Sequence, residues 1–158
     1  MPRNLVQQGF TLVELVTVMI LIGIVSALGI GLFASKSSYT SLTARDLLLS
    51  TALLAQQRAL SNPDSANAVT LTISQSSGQW TFSLAQGATW STARTAEKDS
   101  SATLTIGGTT LANGGSQTLT YSAEADLGSN TQVVFQSGSS HRLCIASTGF
   151  PYTGSCQP

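Results

Sequence analysis

Few residues in this chain could do chemistry, and their positions are informative. Glu14 stands at the head of a 20-residue run without a charge, Leu15 to Ala34 (LVTVMILIGIVSALGIGLFA). An ionised carboxylate beside so much hydrocarbon is costly unless it meets a cation or rests at the headgroup level. It closes the string Gly9-Phe10-Thr11-Leu12-Val13-Glu14. Two cysteines, Cys144 and Cys156, lie near the C-terminus. Outside the cytoplasm an even pair reads as one disulfide, adding about 3 kcal/mol by chain entropy; the alternative is two free thiols. His141 has no Ser–Asp or Cys partner at a suggestive spacing and reads as a surface residue. Glu124, Asp126 and Asn130 could gather oxygens around calcium, but their spacing fits no EF-hand. No catalytic residue, cofactor or metal set is expected, so the chain does not read as an enzyme.

Composition narrows the class further. The chain has 158 residues, about one domain's worth. Charged residues are 9% of it, with seven basic against seven acidic side chains. Binding nucleic acid through phosphates needs a basic surface, so that class is excluded. One His and two Cys are too few for a finger-type zinc site.

The elements that position these residues follow from the hydrophobic pattern. As a helix, Leu15–Ala34 would span roughly 30 Å, the thickness of a bilayer core. A fully buried core helix is disfavoured, because one small domain could not wrap it on all sides. A removable secretory signal is the better rival, with Val25-Ser26-Ala27 as its cleavage site. Gly23, Gly29 and Gly31 interrupt the run, for close helix packing or for local unwinding.

The helix is expected to continue. Leu42, Leu49, Leu53 and Leu60 fall on one helical face, which a globular domain could cover. Ser61-Asn62-Pro63-Asp64 is a stop signal. The spacing therefore predicts one helix from Phe10 to Leu60, about 75 Å long.

Beyond Asn62 the period changes to two, predicting strands over Ala68–Ser74, Gly78–Leu84, Ala102–Ile106, Gln117–Ser122, Thr131–Ser137 and Ser140–Ser147. Thr89–Ser101 has no clear period and carries Arg94, Glu97, Lys98 and Asp99, so it reads as an exposed loop. The fold class is α+β: a long N-terminal helix packed on an antiparallel sheet domain.

The string Gly9–Glu14, with its short polar leader and the apolar run after it, resembles the processing site of type IV pilins and pseudopilins. That resemblance implies a type IV pilin-like fold. It implies cleavage between Gly9 and Phe10 by the prepilin peptidase, with methylation of the new Phe10 amine. It implies that Glu14 pairs with the amine of another subunit during assembly. The resemblance divides the chain into a leader (1–9), a transmembrane and assembly half-helix (10–34), an amphipathic half-helix (35–61) and a β head (62–158). Partners implied are major and minor pilin subunits, the peptidase and the inner-membrane assembly platform. The location implied is the bacterial inner membrane, head in the periplasm, and then a filament. The short leader, neutral head and terminal cysteine loop are similar to minor pilins of the mannose-sensitive haemagglutinin (MSHA) pilus, the MshC kind. Thr148-Gly149-Phe150 is similar to a strand-end motif of GspH and FimT heads. A type II secretion pseudopilin and a membrane-anchored or secreted periplasmic binding protein or enzyme are the alternatives.

Overall fold

The computed structural model describes residues 10–33, 36–62 and 65–157, with side-chain environments given for all of these except 28–33, 36–38 and 65. The chain forms two compact units, one ending at Lys36 and the other running from Ser37.

The first unit carries helix α1 (Leu12–Phe33). Every described side chain from Phe10 to Ala27 is exposed, so apolar residues face outward all round. Thr17 fits this greasy surface by donating its hydroxyl to the Val13 and Glu14 carbonyl oxygens at 3.0 Å each. The expected span Leu15–Ala34 runs past the described residues. Among them no helix is long and apolar enough to cross a membrane. The junction at 34 and 35, on which a single Phe10–Leu60 helix depends, also lies outside them.

The second unit is a helix packed on antiparallel sheets. Helix α2 (Lys36–Leu60) ends one residue before the expected stop signal, where the Ser61 and Asn62 amides donate to Gln57 and Ala59. Its core face is not the leucine face. Ala44, Leu48, Ala52, Ala55 and Ala59 are buried, with Ser41 and Thr51 beside them. Leu42 and Leu53 are only half-buried, and Leu60 is 62% exposed. The core row of α2 is thus mostly small, and Leu47, Leu49 and Leu54 pack against its border.

Strands β1 (Val69–Ser76), β2 (Gln79–Gln86), β3 (Trp90–Glu97) and β6 (Ser116–Tyr121) form one sheet, in the order β3-β2-β1-β6. Strands β4 (Thr103–Ile106), β5 (Thr109–Thr110), β7 (Thr131–Ser137), β8 (Ser139–Ile145) and β9 (Pro151–Thr153) form the other, in the order β5-β4-β7-β8-β9. The inner faces meet through aromatic edges: Phe135 stands at 5.2 Å from Trp80 and 6.1 Å from Phe82, ring centroid to centroid.

Strand β3 corrects the loop expected over Thr89–Ser101. Its residues pair with β2 from Gln86↔Trp90 to Gln79↔Glu97. As an edge strand it is exposed on both faces over much of its length, so it needs no alternation of apolar and polar residues. Arg94 sits opposite Phe82 on the core-facing side yet stays exposed. An inward-pointing charge of this kind guards an edge against pairing with another chain. The start of β3 is held to α2 by Arg58, whose guanidinium lies 3.6 Å from the Trp90 ring centroid and donates to Gln86 at 2.8 Å.

Candidate functional site

The N-terminal segment is built around a helix start. The first amides of any helix lack intrahelical acceptors. Here Thr11 and Glu14 supply them reciprocally. The Glu14 amide donates to Thr11 Oγ1 at 3.3 Å, and the Thr11 amide donates to Glu14 Oε2 at 2.9 Å. The Thr11 hydroxyl also donates to Oε2, at 2.9 Å. This is a capping box, Thr-x-x-Glu. The sequence reading singled out Glu14 as a charge and missed Thr11, although the spacing that marks the box was in view.

Both bonds to the carboxylate fall on Oε2, and among the described residues Oε1 has no partner. Glu14 therefore caps its own helix and still presents an oxygen outward. Phe10, Glu14, Leu15, Val18, Met19 and Ile22 line one shallow, mostly apolar surface on one side of the helix. Phe10 is 88% exposed. Gly9 lies outside the described residues.

The C-terminal cysteines are joined. Cys144 and Cys156 form a disulfide with their Cα atoms 5.0 Å apart. It does not hold the tail alone. The Gln132 side chain accepts from the Cys156 amide at 2.7 Å and donates to the carbonyls of Leu143 at 2.9 Å and Gly154 at 3.1 Å. Asn130 accepts from the Ser147 amide at 2.8 Å and donates to the Gln157 carbonyl at 2.9 Å. These two amide side chains on and before β7 were invisible to motif reading, since neither type nor spacing marks a tail clamp.

That amide of Asn130 is thus committed to backbone, and its neighbours Glu124 and Asp126 are exposed. Among the described residues no group of three or more His, Cys, Asp and Glu is placed to hold a metal ion. His141 Nε2 hydrogen-bonds Ser139 Oγ at 2.9 Å, and among the described residues no acid completes the pair. The Thr148–Gly149 turn rests on α2, where Gln56 donates to the Thr148 carbonyl at 3.2 Å.

With this geometry in place, comparison with known proteins adds one decisive observation. Residues 5–30 match the family model described as the prokaryotic N-terminal methylation motif. The chain carries the signal of a type IV pilin or pseudopilin precursor. That signal implies processing by prepilin peptidase and assembly with other pilin subunits. No curated protein and no solved structure matches the chain. The match covers Gly9, Phe10, Thr11 and Glu14 together with most of α1, and leaves the β unit outside it.

Proposed function

We propose that this chain is a minor structural subunit of a type IV pilus of the MSHA kind, and not an enzyme. The observation that carries the reading is the methylation motif running directly into a helix whose described side chains are exposed and almost all apolar. Cleavage after Gly9 frees the Phe10 amine, which is methylated and remains a cation. Glu14 on a neighbouring subunit neutralises it through the oxygen its own cap leaves open. In a low-dielectric filament core such a pair is attractive, and leaving either charge alone is costly. Before assembly the apolar helix anchors the subunit in the inner membrane with the β unit in the periplasm; the oxidised cysteine pair suits that compartment.

A type II secretion pseudopilin of the GspH kind is the neighbouring reading. The Cys144–Cys156 bridge weighs toward the pilus, because such pseudopilins often lack one. N-terminal mass spectrometry of the membrane-extracted protein tests the processing step. A chain starting at methylated Phe10 is expected. A mature start at Leu28, after Val25-Ser26-Ala27, would overturn the proposal and leave a secreted protein. Co-purification with a major pilin, against co-purification with a secretion machine, separates the two filament readings.

A further inference from the structure

Arg58 is a cation held in place with part of its donor capacity unused. Its guanidinium lies over the Trp90 ring, and its Nε donates to Gln86 at 2.8 Å. Among the described residues Nη1 and Nη2 have no partner, and the one ion pair is Arg45–Asp46. The side chain is half-buried. Its charge has therefore lost some hydration without gaining a counter-ion, which leaves the site favourable to an anion. A guanidinium stacked on an aromatic ring is also oriented in advance, and its free end matches the two oxygens of a carboxylate.

The acids without partners lie at the other edge of the same sheet. Glu124 and Asp126 are exposed, and among the described residues neither carboxylate has a hydrogen bond or an ion pair. Their backbone is fixed, because Ser122 Oγ accepts from both of their amides, at 3.2 and 3.0 Å. The strand registers put the two sites level with each other. One rank crosses the whole sheet as Trp90, Gln86, Val69, Tyr121. Arg58 covers its first member, and the acidic loop starts directly after its last. Three strand spacings, about 14 Å, separate the ends.

Sites at opposite ends of one rank do not meet within a chain. They do meet when a second copy is set beside the first along the rank. Such a contact is heterologous, since each copy offers Arg58 to one neighbour and its acids to the other. A small free anion fits less well, because the other cation on this side of β3, Arg94, stands four residues from Trp90, about 13 Å along the strand. Glu97, the acid on β3, is opposite Gln79 at the far end of the strand and does not repel the incoming loop. Trp and Arg together are also the side chains that most often anchor protein contacts.

We propose that Arg58, seated on Trp90, docks the Glu124–Asp126 loop of a second copy of this chain. Exposed ion pairs are individually weak, so the contact forms where copies share a membrane or a filament and their effective concentration is high. The inference concerns only the second unit, so its failure would leave the processing at Gly9–Phe10 untouched.

The test uses the full chain in phosphatidylcholine vesicles, with one added cysteine per chain and the native bridge kept. Ala88→Cys marks the turn beside Trp90, and Ala123→Cys marks the acidic loop; both positions are exposed. Chains are oxidised with copper phenanthroline, and disulfide-linked dimer is read on a non-reducing gel. The mixture of the two variants should give several-fold more dimer than either alone, and a chain carrying both cysteines should give a ladder. Arg58→Glu in the Ala88→Cys chain should bring the mixed yield down to the single-variant level. Glu124→Arg with Asp126→Arg in the Ala123→Cys chain should do the same, and combining the two reversals should restore the dimer. A merely structural role of Arg58 would not be rescued in this way. Circular dichroism checks folding; if the Arg58→Glu chain does not fold, the loop reversal, made at exposed positions, decides. A mixed yield no higher than the single variants, or one that ignores the charge reversals, would overturn the proposal. Abundant dimer from Ala88→Cys alone would also overturn it, and would assign this edge to a twofold contact.

Discussion

Thr11 and Glu14 satisfy each other's backbone amides, with the Thr11 amide 2.9 Å from Glu14 Oε2 and the Glu14 amide 3.3 Å from Thr11 Oγ1. Glu14 thus has two separable jobs, capping and charge. Glutamine can serve at the same position of a capping box, so Glu14→Gln keeps the cap and removes only the charge. Thr11→Ala removes the side-chain cap, at about 1 kcal/mol, and keeps the charge. If the charge drives assembly, Glu14→Gln should be cleaved normally yet reach sheared filaments at a reduced level. Thr11→Ala should assemble nearly as wild type. Equal incorporation of wild type and Glu14→Gln at equal processing would reduce Glu14 to a helix cap.

The disulfide and the Gln132 clamp hold the same tail, so neither alone should control it. Cys144 and Cys156 should resist alkylation in protein taken from the periplasm without reductant. After reduction the tail should stay docked, because the Cys156 amide still reaches Gln132 Oε1 at 2.7 Å. Gln132→Ala in the oxidised protein should be mild as well. The two changes together should expose the amides of residues 154–157 to rapid hydrogen exchange. Rapid exchange after reduction alone would show that the amide clamp contributes little.

Gly149 has φ +73°, and a Cβ there would collide with the Ala125 carbonyl oxygen and crowd the Tyr121 ring. Gly149→Ala should destabilise by well over about 1 kcal/mol, strain and collision adding together. Gly78 has φ +82° with open space around it, so Gly78→Ala should cost about 1 kcal/mol, from strain alone. Urea unfolding of both variants measures the difference. Equal losses would mean that the turn at Gly149 moves aside freely.

The helix that carries the β unit shows what sequence periodicity does and does not reveal. Leu42, Leu49, Leu53 and Leu60 recur at helical spacing, and a helix is there. Their row borders the core and does not form it, Leu49 packing against it while Leu60 stands exposed, because the alanines that line the core are also apolar and count equally in the pattern. Leu48, off that row, is fully buried. Leu48→Ala should therefore cost about 2–5 kcal/mol, while Leu53→Ala should cost far less. Comparable losses at the two sites would restore the leucine face to the core.

Six strands were legible, most of them because they alternate against a buried face, as Val69, Leu71 and Ile73 do in β1. Strands β3, β5 and β9 were not: β5 and β9 are two and three residues long, too short to show a period, and β3 is an edge strand exposed over much of its length, held by backbone pairing to β2 that leaves no trace in side-chain types. The same limit hid the tail clamp. At the N-terminus the string Gly9–Glu14 was fully legible as a motif, and only the local hydrogen bonding of Thr11 had to be seen in three dimensions.

Tyr121 gives a pH dependence with a definite sign. Its side chain is fully buried, and among the described residues its hydroxyl has no hydrogen-bond partner. Burial pushes its pKa above the ordinary 10.0, because the phenolate would lose its hydration in the core. The unfolded chain then releases this proton near the ordinary value while the folded chain keeps it. Between the two the folded state binds more protons, so stability falls as pH rises above about 10. Below that point both states hold the proton and the group adds no slope. Tyr121→Phe removes the titration and also a buried hydroxyl that has no partner among the described residues. It should be neutral or stabilising near pH 7, since no protein bond is lost with that hydroxyl. Its unfolding free energy should fall less steeply than that of the wild type in alkaline buffer. Denaturant titrations at pH 7 and at alkaline pH read both effects. A clear destabilisation at pH 7 would show that the hydroxyl is hydrogen-bonded after all, and matching alkaline slopes would show that another group sets the high-pH limit.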